Sequence, residues 1–504
     1  MTSVPLASRA EQSTAGKTLL LTSAATFMAF LDTTIVNVAF PALRADFPKE
    51  SVTDLTWVVT SYGILFAALL TPAGRFADIL GRRKLFLWSV GLFTLASLAC
   101  ALAPNVELLI AARAIQGIGA AGMIPSALGL VLSETPAEKR SEAIGIWGAA
   151  GSLAAAAGPA LGGLLVSEID WRVVFFLNIP IGLFVIYGAM SLPNRATEPT
   201  KIPDLVGTAT ITLGIAGVVI GLTKAGDWGW DAATTWIWIG VGLLLMAFSL
   251  QRSGKHPAPA VETGLWRTPM FAAANLTAFF LGAGLFVWFL SGPLYLTTIW
   301  HYSVLKAGLA VTPGAVLSAV AAITIGRRLK PEKQRPVVIV AAVVFLALSI
   351  WAYTGLGSDR EFLALWLPYG ALGGAVIGAG LTSVTTAASI SVHPLKFATG
   401  TGMATTARQF GGLVGVAAMA AVFAAGDLST PQPYLNAFLL AGIFIAASGV
   451  PAFWMFTKKS MAQIAETQAQ IQAYMRAQAE AAAKAASTEA GTPSAEGVPA
   501  ADRG

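Results

Sequence analysis

Apolar runs of about twenty residues, separated by short polar loops, recur along nearly the whole chain. A hydrocarbon core about 30 Å thick is crossed by about 20 residues of α-helix, so each run is long enough to span a bilayer. That ruler predicts fourteen spans, near 18–40, 54–73, 84–103, 107–132, 143–166, 174–192, 204–223, 233–251, 271–293, 306–326, 336–355, 362–385, 398–424 and 434–457. An open sheet in lipid leaves its backbone groups unsatisfied, and the alternation of barrel strands is missing, so every span is expected to be helical. Composition agrees: of 504 residues, 55% are hydrophobic and 12% charged, against about 25% charged in a soluble chain. A soluble fold of this make-up would expose too much apolar surface. The fold class expected is an all-α, multi-pass membrane protein.

The net charge of +6 is spread thinly. No basic block is long enough to follow a phosphate backbone, so no nucleic-acid partner is expected. With the N-terminus inside, the inner loops hold 17 Lys and Arg and the outer loops 6, with Lys224 counted as an outer-loop residue just past the seventh span. That bias places both termini in the cytoplasm, in a cell (inner) membrane. Residues Met1 to Pro5 lack the opening of a secretory signal peptide. Cys100, the one cysteine, cannot bridge internally, so nothing requires an oxidising compartment.

This reading divides the chain into a cytoplasmic N-terminal tail (1–17), six helices (18–192), two further helices (193–251), a cytoplasmic linker (252–270), six more helices (271–457) and a cytoplasmic tail (458–504). In that tail Met461, Ile464, Ile471 and Met475 recur at helical spacing, and after Ser487 the composition reads as disordered.

Ionisable residues deep in a span are costly and usually functional. Three stand out: Asp32, Arg113 and Arg408. Asp32 sits among Phe30, Leu31 and Thr33 to Val36, placed to load and release a proton; the alternative is an interfacial acid that pairs statically. Arg113 keeps its charge at any accessible pH and shares a helix face with Gln116, so it suits a fixed charge that tunes a nearby acid; the alternative is snorkelling. Arg408 reads equally as a snorkelling or structurally paired cation and as a substrate contact. The loop Gly74-Arg-Phe-Ala-Asp-Ile-Leu-Gly-Arg-Arg-Lys84 joins turn-permitting Gly74 and Gly81 to Asp78, Arg82, Arg83 and Lys84. An acid there does not serve orientation, so a latch pairing with a facing helix end is the sharper reading. In the fifth span Gly158, Pro159, Gly162 and Gly163 combine a helix bend with close packing.

Taken together these stretches resemble the major facilitator superfamily, and within it the fourteen-helix drug:proton antiporters. Leu31-Asp-Thr-Thr-Ile-Val-Asn-Val-Ala-Phe-Pro41 is similar to that family's first-helix motif. Gly74–Lys84 resembles motif A, Arg113–Ala121 motif B and Gly158–Gly163 the antiporter motif C. Similarity extends to Trp171–Gly182, Asp204 with Gly207, Ala307 and Gly308 with Pro313, and Arg408–Gly412. The loop Gly326-Arg-Arg-Leu-Lys-Pro-Glu-Lys333 is a degenerate echo of motif A. The resemblance implies a major facilitator fold of 14 transmembrane helices: two six-helix bundles, with helices seven and eight inserted between them, working by alternating access. It also implies that Asp32 carries the proton, Arg113 tunes it, Asp78 with Arg82 latches the cytoplasmic side, and Pro159 lies in a hinge region. One departure is that no acid is buried in helices nine to fourteen, where some multidrug members carry one.

The function expected is proton-motive-force-driven export of amphipathic small molecules, multidrug efflux, by a monomer whose partners are the lipid bilayer, protons and the substrate. Candidate substrate contacts are Asn37, Trp57, Tyr62, Gln116, Trp147, Phe286, Trp288, Tyr295, Tyr369 and Arg408. A dedicated exporter of one metabolite, lipid or antibiotic is the alternative. Proton-symport import is disfavoured by the Gly158–Gly163 cluster, and a non-transporting membrane sensor is the rival from another class. An enzyme is least expected, and no cofactor or metal is implied. His256, His301 and His393 are far apart in sequence, and no metal-ligand cluster, nucleotide loop or nucleophile elbow is visible. No ATP-binding domain is visible, so energy must come from a gradient.

Overall fold

The computed structural model describes residues 9–50, 52–193, 204–393, 396–462 and 464–466. The expected tail segments 1–8 and 467–504 and the linker 194–203 lie outside the described residues, as do the side chains of Asn37 and Pro159. Residues 1–457 form one compact unit and 458–504 another. The described part of the second unit is helical.

Among the described residues the first unit holds fifteen α-helices: α1 (Arg9–Asp46), α2 (Val52–Leu80), α3 (Arg82–Ala101), α4 (Val106–Glu134), α5 (Arg140–Glu168), α6 (Val173–Phe176), α7 (Asn178–Ala189), α8 (Leu205–Trp228), α9 (Ala233–Ser253), α10 (Pro269–Thr298), α11 (Val304–Arg328), α12 (Arg335–Gly355), α13 (Leu367–Ile390), α14 (Phe397–Ala424) and α15 (Gln432–Ala452). No strand occurs among the described residues. Twelve helices are long and apolar enough to cross a membrane among the described residues, against the fourteen expected. The two expected spans outside that set are α5, 29 residues long, and the shorter apolar helix Val173–Ala189, formed by α6 running into α7. A seventeen-residue helix reaches only about 25 Å at 1.5 Å per residue.

Helix ends follow from local chemistry. Asn105 caps α4 by accepting from the Leu108 N–H at 3.0 Å, and Ser303 caps α11 through the Lys306 N–H at 3.2 Å; each satisfies a donor with no intrahelical partner. Gly81 stands between α2 and α3 at φ 102°, a left-handed conformation that glycine takes without strain.

Asp204 serves two ends at once. Its Oδ1 accepts from the Gly207 N–H at 2.9 Å and from Arg252 Nε at 2.8 Å, binding the start of α8 to the end of α9. Burial pushes its pKa up, but the Gly207 N–H and the Arg252 guanidinium outweigh that and hold the carboxyl below its usual range. The α8–α9 hairpin leans on α2 and α14 through α8, while α9 turns Trp236, Ile237 and Leu244 outward.

The remaining helices form two sets. In the first, α1 packs on α5 and α4 on α2 and α3; in the second, α10 packs on α14 and α15, α11 on α13, and α12 on α15. Glycine permits these approaches. A Cβ on Gly117 would stand 2.6 Å from the Tyr62 carbonyl oxygen, and one on Gly374 would run into the Gly314 carbonyl. The sets meet chiefly through α5 against α11 and α2 against α14.

Two outcomes follow. Gly374→Leu should lower the thermal unfolding midpoint in detergent by several degrees, an overpacking cost of about 1–3 kcal/mol, whereas Gly240→Ala, with nothing within 4 Å of the added carbon, should leave it unchanged. For Asp204, whose folded pKa is depressed, the carboxylate's contribution is complete above about pH 4 and fades as pH falls through the folded value. Melting curves of wild type and Asp204→Asn should therefore differ at neutral pH and converge in acid.

Candidate functional site

Five helical elements converge on one buried carboxylate. Arg113, from α4, pairs through Nη1 with Asp32 Oδ2 at 2.5 Å, the two side chains 1% and 0% exposed. The other oxygen, Oδ1, accepts from Gln116 Nε2 at 2.9 Å and from Asn178 Nδ2 at 3.0 Å. Ser97 Oγ, on α3, holds both amides at 2.7 and 3.3 Å. Arg113 is fixed in turn: Nη1 also reaches Gln116 Oε1 at 2.6 Å, Nε donates to the Val58 carbonyl of α2 at 3.0 Å, and the Tyr62 ring lies 4.3 Å from its guanidinium carbon. Arg113 therefore does not snorkel. A charge taken out of water is tolerated only with a counter-charge and satisfied hydrogen bonds, and this arrangement supplies both.

The Gly74–Lys84 stretch is not the loop expected: Gly74 to Leu80 end α2, Gly81 alone intervenes and Arg82 to Lys84 begin α3, and its side chains form a second charged cluster. The Asp78 carboxylate accepts from the Thr399 N–H at 2.7 Å and Oγ1 at 2.8 Å, and from the Ala398 N–H at 3.3 Å. It therefore sits on the N-terminus of α14, where free N–H groups and the helix dipole attract an anion. Arg82 holds the same carboxylate at 2.8 Å. Gly74 must be small, since a Cβ there would lie 2.5 Å from the Ala398 carbonyl oxygen. Arg83 points elsewhere, donating to the carbonyls of Ala189 and Met190 at the end of α7.

Other contacts between the two sets gather at the same end. Glu262, in the linker before α10, bridges Arg75 at 3.1 Å and Lys396 at 3.0 Å. Arg327, which lies in the last turn of α11 and not in a loop as expected, pairs with Glu142 at 2.8 Å, and Gln334 donates to Ser141 at 2.7 Å.

In α5, a Cβ on Gly158 would collide with the Thr34 hydroxyl on α1, while Gly163 has ordinary clearance from Leu305; Gly162 is buried. Arg408 is half-buried, its guanidinium carbon 5.9 Å from the Phe30 ring centroid.

The expected substrate contacts do not share one surface. Gln116 and Tyr62 belong to the ion-pair network. Tyr295 and Tyr369 are buried in an aromatic core with Trp366 and Phe438, Tyr295 stacking on Trp366 at 5.8 Å, and Trp288 meets Tyr369 edge-on at 6.3 Å. Trp147 is buried. Phe286 is half-buried against the position of Gly412, and half-buried Trp57 carries Lys224 over its ring at 5.3 Å.

Sequence reading missed three groups. Lys224 is no loop residue: it lies inside α8, 5% exposed, and a span drawn one residue longer would have included it. Asn178 joins the Asp32 network, and its only signal was an amide within an apolar stretch. Glu262 bridges the two sets from a linker whose composition carries no signal for that role.

These features define a class, a multi-pass helical membrane carrier with two facing sets of helices around buried charges. The chain belongs to the Major Facilitator Superfamily, whose family model matches residues 22–416. It is 34% identical over 472 residues to a cephamycin export protein of Amycolatopsis lactamdurans, covering 89% of this chain and 95% of that one. It is 34% identical to a methylenomycin A resistance protein of Streptomyces coelicolor (78% and 83% covered) and 31% identical to a multidrug resistance protein of Mycobacterium tuberculosis (83% and 78%). In fold it is similar to the human organic anion transporter MFSD10, with TM-score 0.60 and 14% identity over 86% of this chain and 99% of that one.

Removing one partner of the Asp32–Arg113 pair strands the other charge, a cost of about 3–5 kcal/mol. Asp32→Asn and Arg113→Gln should each destabilise strongly, and the double variant should lose well under the sum. Unfolding in detergent measures this cycle; additive losses would show that the two side chains are not coupled.

Proposed function

We propose that this chain exports amphipathic small molecules across the cell membrane in exchange for protons. Support comes from family membership, from relatives named for antibiotic export and resistance, and above all from the Asp32–Arg113 pair buried among five helical elements. We take α5 and the Val173–Ala189 helix as spans too, making fourteen crossings in two six-helix bundles (18–192 and 271–457) with α8 and α9 inserted and both termini cytoplasmic. The working unit is one chain.

On this topology the Asp78, Glu262 and Glu142 contacts lie on the cytoplasmic side, so the arrangement described is closed inward. The steps follow from charge. Ionised Asp32 is held by Arg113, Gln116 and Asn178, and this binds α1 to α4 and α7. A proton arriving from outside neutralises the carboxylate and removes its ionic hold on Arg113, loosening α1 against α4. That loosening favours separation of Asp78 from the α14 N-terminus and opening toward the cytoplasm. Proton release there restores the pair and readies the site for substrate. Each inward proton supplies about 2.3 kcal/mol per 100 mV of membrane potential. Gly158 against Thr34 keeps α5 close to α1, where a shift of α1 is felt.

Asp32→Asn keeps the side chain's size but cannot exchange a proton. In everted vesicles it should abolish uphill accumulation of a fluorescent substrate that wild type accumulates and a protonophore collapses. Uphill transport at the wild-type level by Asp32→Asn would overturn the coupling role.

The relatives named for single antibiotics favour a second reading, export of one dedicated compound. Binding measurements with chemically unrelated ligands separate the two, because a single tight ligand among them excludes multidrug export.

A further inference from the structure

The membrane-embedded charges are unevenly balanced. Asp32 is fully engaged by Arg113, Gln116 and Asn178. The helices α10 to α15 contain no Asp or Glu at all. Arg408 lies in that acid-free set, eleven residues into α14, about 17 Å along the helix axis and so near the middle of a bilayer core. Its depth is fixed by glycine contacts, since a Cβ on Gly282 of α10 would run into the Arg408 carbonyl, and one on Gly411 into that of Phe279. Among the described residues no carboxylate lies within ion-pair distance of its guanidinium. The side chain reaches instead across to Phe30 on α1, between the two sets of helices.

A second donor without an acceptor belongs to the same neighbourhood. The Trp147 Nε1–H on α5 is buried with no acceptor among the described residues. Trp147 belongs to an apolar cluster on which Phe30, Phe410 and Leu413 pack. Gly151, one turn further along α5, faces the Phe30 ring, 3.3 Å from a Cβ built there. Beside Arg408 the Gln409 carboxamide has its Oε1 buried without a donor, and rotation about its terminal bond turns that acceptor into a further donor. Leaving a buried donor unmade costs about 1–3 kcal/mol, and an unpaired membrane cation costs more. A ligand that brings a negative charge offsets both.

We propose that Arg408 and the Trp147 indole N–H form a recognition site for amphipathic monoanions, compounds that join one carboxylate or enolate to an apolar body. The anion takes the guanidinium and the indole N–H, and its apolar body lies on the Phe30 ring and the adjoining cluster. Lipophilic cations are disfavoured there, because Asp32 is already neutralised by Arg113 and no described carboxylate lies within ion-pair distance of Arg408. This assignment names the substrate class of the exporter proposed above and rests on that reading.

The test uses the full-length purified protein in detergent, with 1-pyrenebutyrate, its methyl ester and tetraphenylphosphonium as matched anionic, neutral and cationic probes. Binding is read from quenching of tryptophan fluorescence. Wild type should bind the acid at least about tenfold more tightly than the ester, the discrimination of one charge-assisted hydrogen bond, and the cation more weakly than either. Arg408→Gln should remove the acid-over-ester preference while leaving ester affinity within about twofold, and Arg408→Lys should keep part of it. Trp147→Phe should weaken acid binding by a smaller factor. Equal binding of acid and ester by wild type overturns the proposal without any variant, so a misfolded Arg408→Gln cannot shelter it. An unchanged ratio in a folded Arg408→Gln overturns it as well. Transport in proteoliposomes tells the two readings apart. Proton-driven efflux of the ester without any acid preference sinks the anion site and leaves the exporter standing. Acid-selective binding with no efflux of any probe supports the site and sinks the exporter.

Discussion

A carboxylate and a guanidinium buried together in the membrane-spanning region are the constraint to which the first half of this protein is built. Asp32 and Arg113 are each almost without exposed surface, and an isolated charge in such surroundings is several kcal/mol too costly to keep. Pairing alone leaves lone pairs and N–H groups unmet. Gln116, Asn178 and Ser97 meet them on one side and the Val58 carbonyl on the other, with Tyr62 beneath the guanidinium. Satisfying two side chains thus draws α1, α2, α3, α4 and α7 to one point. The glycine at 117 follows from the same need, since α4 must approach the Tyr62 backbone closely to bring Arg113 within reach.

The interface between the two sets of helices relies on a different kind of electrostatics. Asp78 docks on the N–H groups that begin α14 and is held there by Arg82. Such contacts are strong enough to close an interface and still reversible, because water can satisfy the same groups once they part. Glu262 adds a carboxylate shared between Arg75 and Lys396, and the end of α11 adds Arg327 on Glu142. Both sets therefore contribute charges at the same end, which suits a joint that opens and closes.

Legibility in the sequence tracked the energetic cost of each residue. Charged residues inside apolar runs are expensive, so Asp32, Arg113 and Arg408 stood out without any structure. Neutral polar residues cost less and give less signal: Asn178 lies within Trp171–Gly182, yet nothing there discloses that it faces Asp32. Aromatic residues misled, because a Tyr or Trp suits a cavity wall and a packed core equally. Tyr295 and Tyr369 lie in an aromatic core, where their rings pack together with Trp366 and Phe438 and the Tyr295 hydroxyl donates to the Gly357 carbonyl. Lys224 was lost to a boundary one residue short, since its long aliphatic stem hides a charge that sits on Trp57.

What the sequence determined by itself is the solvent and the elements: lipid forces every apolar run into a helix, and the scarcity of charge picks out the residues that function must explain. It also supplied the ordered motifs by which the family is recognisable. Only the tertiary structure decided which charges meet. Asp32 and Arg113 are 81 residues apart and Asp78 and Thr399 are 321 apart, and no local pattern encodes a pairing over such distances. The packing of small residues between helices brings them together, and the same packing leaves Arg408 facing Phe30 with no acid beside it among the described residues.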